Sequence, residues 1–174
     1  MKISFDPKKD EQTRETRGFS LAVGAEVISN QAALIIDSRR DYGEERLISF
    51  GYIDKRLYVC VYTVRGDALH IISVRKANER RLENMVDDFD ADDNPGWDDS
   101  NSRLPDAAAK LKATRAALLV SQNDFAALLG IPVATLQNWE QRRTVPDAVA
   151  TTLIDLIFDD PKDMRIRMMR RNAA

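Results

Sequence analysis

Residues 46–75 read RLISFGYIDKRLYVCVYTVRGDALHIISVR. Three apolar runs are divided by IDKR and RGDA, and valine, isoleucine and tyrosine dominate them. Those residue types suit a pleated, half-buried surface, and the breaks fall at hairpin spacing. The stretch predicts a three-stranded antiparallel meander over about 46–53, 56–64 and 68–75. Upstream, KISF alternates like a short strand. Asp6-Pro7 then opens a helix that Gly18 ends. Leu21, Val23, Val27 and Ile28 follow Ser20 at the spacing of an amphipathic turn or two. KANERRLENM, after the meander, has helical composition.

The texture changes after residue 102. LPDAAAKLKATRAALL has apolar residues at helical spacing. SQNDFAALLG starts with a capping residue, Ser121, and stops at Gly130. PVATLQNWEQ is a short helix opened by Pro132. VPDAVATTLIDLIF is another, with Val149, Leu153, Leu156 and Ile157 expected on one face. No strand is expected in this half. The fold class is thus an α+β N-terminal domain joined to an all-α C-terminal domain. The expected divisions are 1–84, an acidic connector at 85–102, a helical domain at 103–160 and a basic tail at 161–174. The tail, MRIRMMRRN, is expected to touch phosphate or partner chains, or to be solvated and disordered.

Charge is uneven along the 174 residues. Residues 1–85 carry a net +2, residues 86–102 carry −7, and residues 103–174 carry +3, giving −2 in all. Basic bodies beside an acidic strap suggest polyanion partners. The one cysteine, Cys60, excludes an internal disulfide and a cysteine-rich metal site, and it fits a reducing cytoplasm. The apolar runs AALIID and LYVCVY are too short to cross a bilayer, and MKISFDPKKDEQ is no secretory signal. No metal or cofactor is expected.

In the helical half, Phe125, Ala126, Leu129, Ile131, Leu136 and Trp139 are placed to form a core shared by two helices joined at Gly130. That packing leaves Val133, Ala134, Thr135, Gln137 and Asn138 on the outer N-terminal part of the second helix, the part that enters a major groove in helix-turn-helix proteins. Asn138 suits adenine, and Val133, Ala134 or the Thr135 methyl suits a thymine methyl. Gln122 is placed for a phosphate, and Arg142 and Arg143 add attraction to the DNA backbone. Residues 108–158 resemble the Cro/repressor-type (Xre-like) helix-turn-helix family through Ser121-Gln122, Phe125-Ala126, Gly130-Ile131, Leu136, Trp139-Glu140 and Pro146. The family usually has glycine where this chain has Arg142. The resemblance implies operator DNA as a partner, read by a homodimer.

In the N-terminal half, Arg46, Arg65, Arg75 and Lys76 lie at expected strand ends, with Glu45 and His70 nearby in sequence. Metal-independent RNA cleavage needs a base for the 2′-OH, an acid for the leaving oxygen and cations for the phosphorane. Glu45 or His70 could move protons, and the cations could hold phosphate. The bland alternatives are an edge-strand histidine facing water and solvated strand-end charges. FDPKK at 5–9, RGFSL at 17–21, YGEERLISFGYID at 42–54 and YVCVYTVRGDALHIISVRKANERR at 58–81 resemble the BrnT-type toxins of the RelE/ParE-like superfamily. The resemblance implies a RelE-like fold, RNA cleavage on mRNA or the ribosome, inhibition of translation, and an antitoxin that represses the operon. Such toxins commonly read Lys-His-Gly where this chain reads Thr16-Arg17-Gly18.

The connector VDDFDADDNPGWDDSN, residues 86–101, holds seven aspartates and no basic residue. DNPGW resembles a segment of antitoxins paired with such toxins. An extended acidic strap can mimic RNA on a basic face, with Phe89 and Trp97 as buried anchors and Pro95 favouring an extended approach beside Asp98. The whole chain therefore reads as a fused toxin and antitoxin, the toxin restrained in cis or by a partner copy. The alternatives are a DNA-binding regulator with an inactive toxin-like domain, and a non-cleaving ribosome binder.

Overall fold

The computed structural model describes residues 1–77 and 102–172. The meander forms where its sequence places it: β3 is Arg46–Ile53, β4 is Arg56–Arg65 and β5 is Ala68–Lys76. β1, Lys2–Ser4, confirms the short first strand. Two strands were not expected. β2, Gln31–Asp37, is buried from Leu34 to Asp37 without alternation, so its sequence lacks the period-2 signal of a half-exposed strand. β6, Ser102–Arg103, overturns the expectation of no strand after 102; it pairs antiparallel with β2 through Asp37↔Ser102 and Ile36↔Arg103. The sheet order is β1-β5-β4-β3-β2-β6.

α1, Pro7–Arg17, is capped by Asp6, whose carboxylate accepts from the backbone of Lys8 and Lys9 at 2.8 and 3.3 Å, and it ends at Gly18 with φ 78°. The chain then makes a short 3-10 turn at Leu21–Val23 and the short helix α2, Gly24–Ser29. Asp10 ties these pieces together. It is buried, and it accepts from Ser20 Oγ at 2.7 Å, Leu21 N at 2.6 Å and Arg14 Nε at 2.9 Å. The Ser20 hydroxyl leads these partners in holding its carboxyl below the usual carboxylate range.

α2 lies against β3, and a glycine permits the approach. A Cβ on Gly51 would sit 2.0 Å from the Val27 carbonyl oxygen and 3.0 Å from that of Asn30. On the same side of the sheet, Phe19 stacks edge-on against Tyr58 at 5.8 Å, and the position of a Gly24 Cβ lies 2.8 Å from Cys60 Sγ. Cys60 is fully buried, and burial pushes its thiol up. The opposite side carries Ile35, Ile48, Val59, Val61 and Leu57, with Phe50 and Ile72 partly buried beside them.

The helices are α3, Ala107–Leu118; α4, Gln122–Leu129; α5, Val133–Glu140; α6, Ala148–Asp159; and α7, Pro161–Asn172. Asp106, Ser121 and Asp147 each cap the helix that follows. All six expected core residues join one cluster with Leu111, Leu118, Ile154, Ile157 and Met168. The expected face of α6 is corrected. Ile154 and Ile157 are buried and Leu153 packs beside them, but Val149 and Leu156 are 81% and 54% exposed. The core lies along the flank carrying 150, 154 and 157, so residues 149 and 156 face away. The tail is corrected too. Asp160 accepts from Asp163 N at 3.0 Å and Pro161 stands first, so a helix begins. Met164 and Met168, one turn apart, then pack into the core. By backbone proximity the described chain forms two compact units. One holds Met1–Lys2, Val64–Leu69 and the chain from Pro105; the other holds Ile3–Thr63, 70–77 and 102–104.

Gly51→Ala should lower stability by about 3 kcal/mol, because the obstruction is backbone and cannot rotate away; urea unfolding monitored by circular dichroism checks it. Asp10 gives a second expectation. Its carboxyl is depressed in the folded state, so its contribution is present above the unfolded carboxylate pKa and is lost as pH falls through the folded value. Asp10→Asn should lower the melting temperature at neutral pH and flatten its fall below about pH 4.

Candidate functional site

Strand register decides which expected site residues meet. In β3 and β4, Leu47 pairs with Tyr62 and Ile48 with Val61, so Arg46 lies opposite Thr63 one step further. The turn between β4 and β5 holds two residues, Gly66 and Asp67, which places Thr63 opposite His70. Directly opposed residues share a sheet face. Arg46, Thr63 and His70 therefore form a row across three strands, on the face of Ile48 and Val61. Two interstrand spacings separate the backbones of Arg46 and His70, about 10 Å. Asp37 continues the row, opposite Arg46 on β2.

The row is built around held side chains. The Arg46 guanidinium lies 3.6 Å from the centroid of the Tyr42 ring, which fixes its plane. Its Nε is buried and makes no hydrogen bond among the described residues. His70 Nδ1 sits 3.1 Å from Ser4 Oγ on the neighbouring β1. Asp37 is buried in a charge pair with Arg39 at 2.6 Å.

Glu45, Arg75 and Lys76 lie elsewhere. Glu45 precedes Arg46 and so falls on the opposite face. There burial pushes the Tyr62 phenol up, and the Glu45 charge adds to the rise. Arg75 and Lys76 are at the far end of β5: Ala77 N donates to Leu57 O at 2.9 Å, beside the start of β4 rather than its end. From Leu57 to Thr63 is about 20 Å of strand. The four cations therefore do not converge on one phosphate, a constraint that sequence adjacency to strand ends conceals. Arg65 ends β4 in the segment Val64–Leu69, which groups with the helices. Glu45, Arg65 and Arg75 each make interactions of their own. Arg17 Nη1 donates to Val74 O at 2.8 Å, so its guanidinium is held on β5. Tyr42 and Ser4 were missed; their signal is the register, which appears only once the sheet is paired. Among the described residues, no group of three or more His, Cys, Asp or Glu could hold a metal.

In the helical unit, α4 and α5 meet through the Gly130 turn, where φ is 74°. Ala134 and Arg143 are exposed, and Thr135, Gln137 and Asn138 are half-buried. Val133 is half-buried as well and packs beside the core. A polar chain runs inward. Gln137 Nε2 donates to Gln122 Oε1 at 3.2 Å, Gln122 Nε2 donates to Glu140 Oε2 at 2.7 Å, and Glu140 accepts from Arg115 Nε at 2.8 Å. Arg142 is not a free cation. Its Nε and Nη2 donate to the Asp106 carboxylate at 2.7 and 2.9 Å. Its φ is 58°, so the backbone keeps the left-handed turn that glycine would favour. Phe89, Pro95, Trp97 and Asp98 lie outside the described residues.

Residues 5–81 match the family model of the ribonuclease toxin BrnT of type II toxin-antitoxin systems. The match spans the described strands from β2 to β5 and includes Arg46 and His70, but not Ser4 or the chain from Pro105. No curated protein and no solved structure matches the chain. No helix among the described residues is long and apolar enough to cross a membrane.

Arg142→Gly removes a left-handed non-glycine residue worth about 1 kcal/mol and an exposed ion pair worth about 0.5 kcal/mol. The variant should therefore be as stable as the parent or slightly more so, read from thermal unfolding.

Proposed function

We propose that this chain is a fused toxin and antitoxin of the type II class. The BrnT family match over residues 5–81 carries the reading. In it, the N-terminal domain is a metal-independent endoribonuclease that acts on mRNA at or near the ribosome. Arg46 holds the scissile phosphate. His70 exchanges protons through Nε2, first with the 2′-OH and then with the leaving oxygen. The acidic connector, with Phe89, Pro95, Trp97 and Asp98, covers this domain in cis or from a second copy. The helical unit is a helix-turn-helix of the Xre type. Thr135, Gln137 and Asn138 of α5 meet base edges, Arg143 and the start of α4 meet phosphates, and a homodimer reads two half-sites in the operon's own promoter. The protein works in the cytoplasm and needs no cofactor.

A second reading is a DNA-binding regulator whose toxin-like domain no longer cleaves. One observation favours it: Arg17 stands where such toxins carry histidine, and its guanidinium is spent on the Val74 carbonyl.

Two measurements separate these. Growth arrest and RNA integrity are followed on induction of residues 1–84 alone and of the full chain. Arrest by the fragment only, lost in Arg46→Ala, supports a restrained nuclease; no arrest by either supports the regulator. Selection from random DNA duplexes by the purified full chain should return an inverted repeat, and Asn138→Ala should weaken its binding about tenfold. Failure to enrich any sequence would remove the DNA-reading half of the proposal.

A further inference from the structure

The helical unit includes the turn Gly66-Asp67, and this turn sits on the groups that the DNA reading assigns to a phosphate. Asp67 Oδ1 accepts from the backbone N–H of Gln122, the first residue of α4, at 2.7 Å. The same oxygen lies 3.2 Å from Arg115 Nη1, and the Gly66 carbonyl accepts from Arg115 Nη2 at 2.7 Å. Lys2 N donates to the Asp67 carbonyl at 2.9 Å and steadies the turn from its other side. The Gln122 N–H is one of the unpaired donors that open a helix, and such donors take anions. Here the anion is supplied by the chain itself.

The exposures of the partners differ. The Arg115 side chain is 0% exposed, whereas that of Asp67 is 51% exposed. Arg115 keeps Glu140 when Asp67 leaves, so release does not orphan a buried charge. Asp67, half in water, is the displaceable member. A DNA phosphate brings the same charge and the same acceptor oxygens to the same donor.

We infer that Asp67 is an internal competitor of the DNA backbone, an autoinhibitory contact that must open before the start of α4 can grip a phosphate. The inference rests on the DNA-binding reading above. It predicts that removing the carboxylate strengthens binding in a sequence-independent way, since phosphate contacts carry no base information.

The test is fluorescence anisotropy of the full-length protein with a labelled DNA duplex of arbitrary sequence, at several salt concentrations. Asp67→Ala should bind about fivefold tighter than the parent, and its slope of log affinity against log salt should steepen by about one phosphate. Asp67→Asn keeps the side chain's shape and should lie between them. Asp159→Ala removes an equal charge from an exposed site on α6 and controls for net charge. If Asp67→Ala and Asp67→Asn bind no tighter than Asp159→Ala, the competitor role is overturned while the DNA reading stands. If neither the parent nor any variant binds the duplex, the DNA reading fails and the inference fails with it.

Discussion

A guanidinium with no access to water organises the helical unit. Arg115 on α3 donates from Nε and Nη2 to the two carboxylate oxygens of Glu140 on α5, at 2.8 and 3.1 Å. Glu140 is itself 3% exposed. Burying two ions costs several kcal/mol apiece, which their two-point pairing offsets. The carbonyls of Gly66 and Val120 accept further hydrogen bonds from Arg115, the half-exposed Asp67 adds another, and the Gln122 amide donates to Glu140 Oε2. Three helices and a β-turn thereby meet at one charge cluster. Beside it lies the apolar cluster around Phe125 and Leu136.

The sheet unit uses the same device on a smaller scale. Asp37 and Arg39 are buried side by side at the end of β2, and Asp10 gathers three donors where α1 gives way to the 3-10 turn. Each buried carboxylate fixes an irregular segment rather than a helix or strand. Gly51 lets a helix end rest on the sheet backbone.

Much of the fold was legible because local chemistry and tertiary role agreed. The meander was readable from β-branched runs broken at two-residue turns, α1 from Asp6-Pro7 and Gly18, α3 from its apolar period, α4 from Ser121 and Gly130, and α5 from Pro132. The failures have a common cause. β2 is buried on both faces and α7 is anchored by two methionines in an otherwise basic stretch, so in each the sequence lacks the pattern that only a partner element supplies. The candidate site was half legible. Arg46 and His70 could be named as chemical types, but their grouping, and the separation of Arg75, Lys76 and Glu45 from them, depends on register and on face. Neither can be read before the strands are paired. Arg142 was visible only as a departure from a resemblance; that its backbone would take a left-handed turn was not legible.

The solitary thiol has a practical meaning. Cys60 lies at the centre of β4 with the backbone of Gly24 pressed against its sulfur, and burial holds it in the protonated form. A thiol reagent can reach it only when α2 lifts from the sheet. With no second cysteine in the chain, the rate of alkylation becomes a clock for that opening. It reports the breathing of the toxin-like half without a label having to be engineered into it.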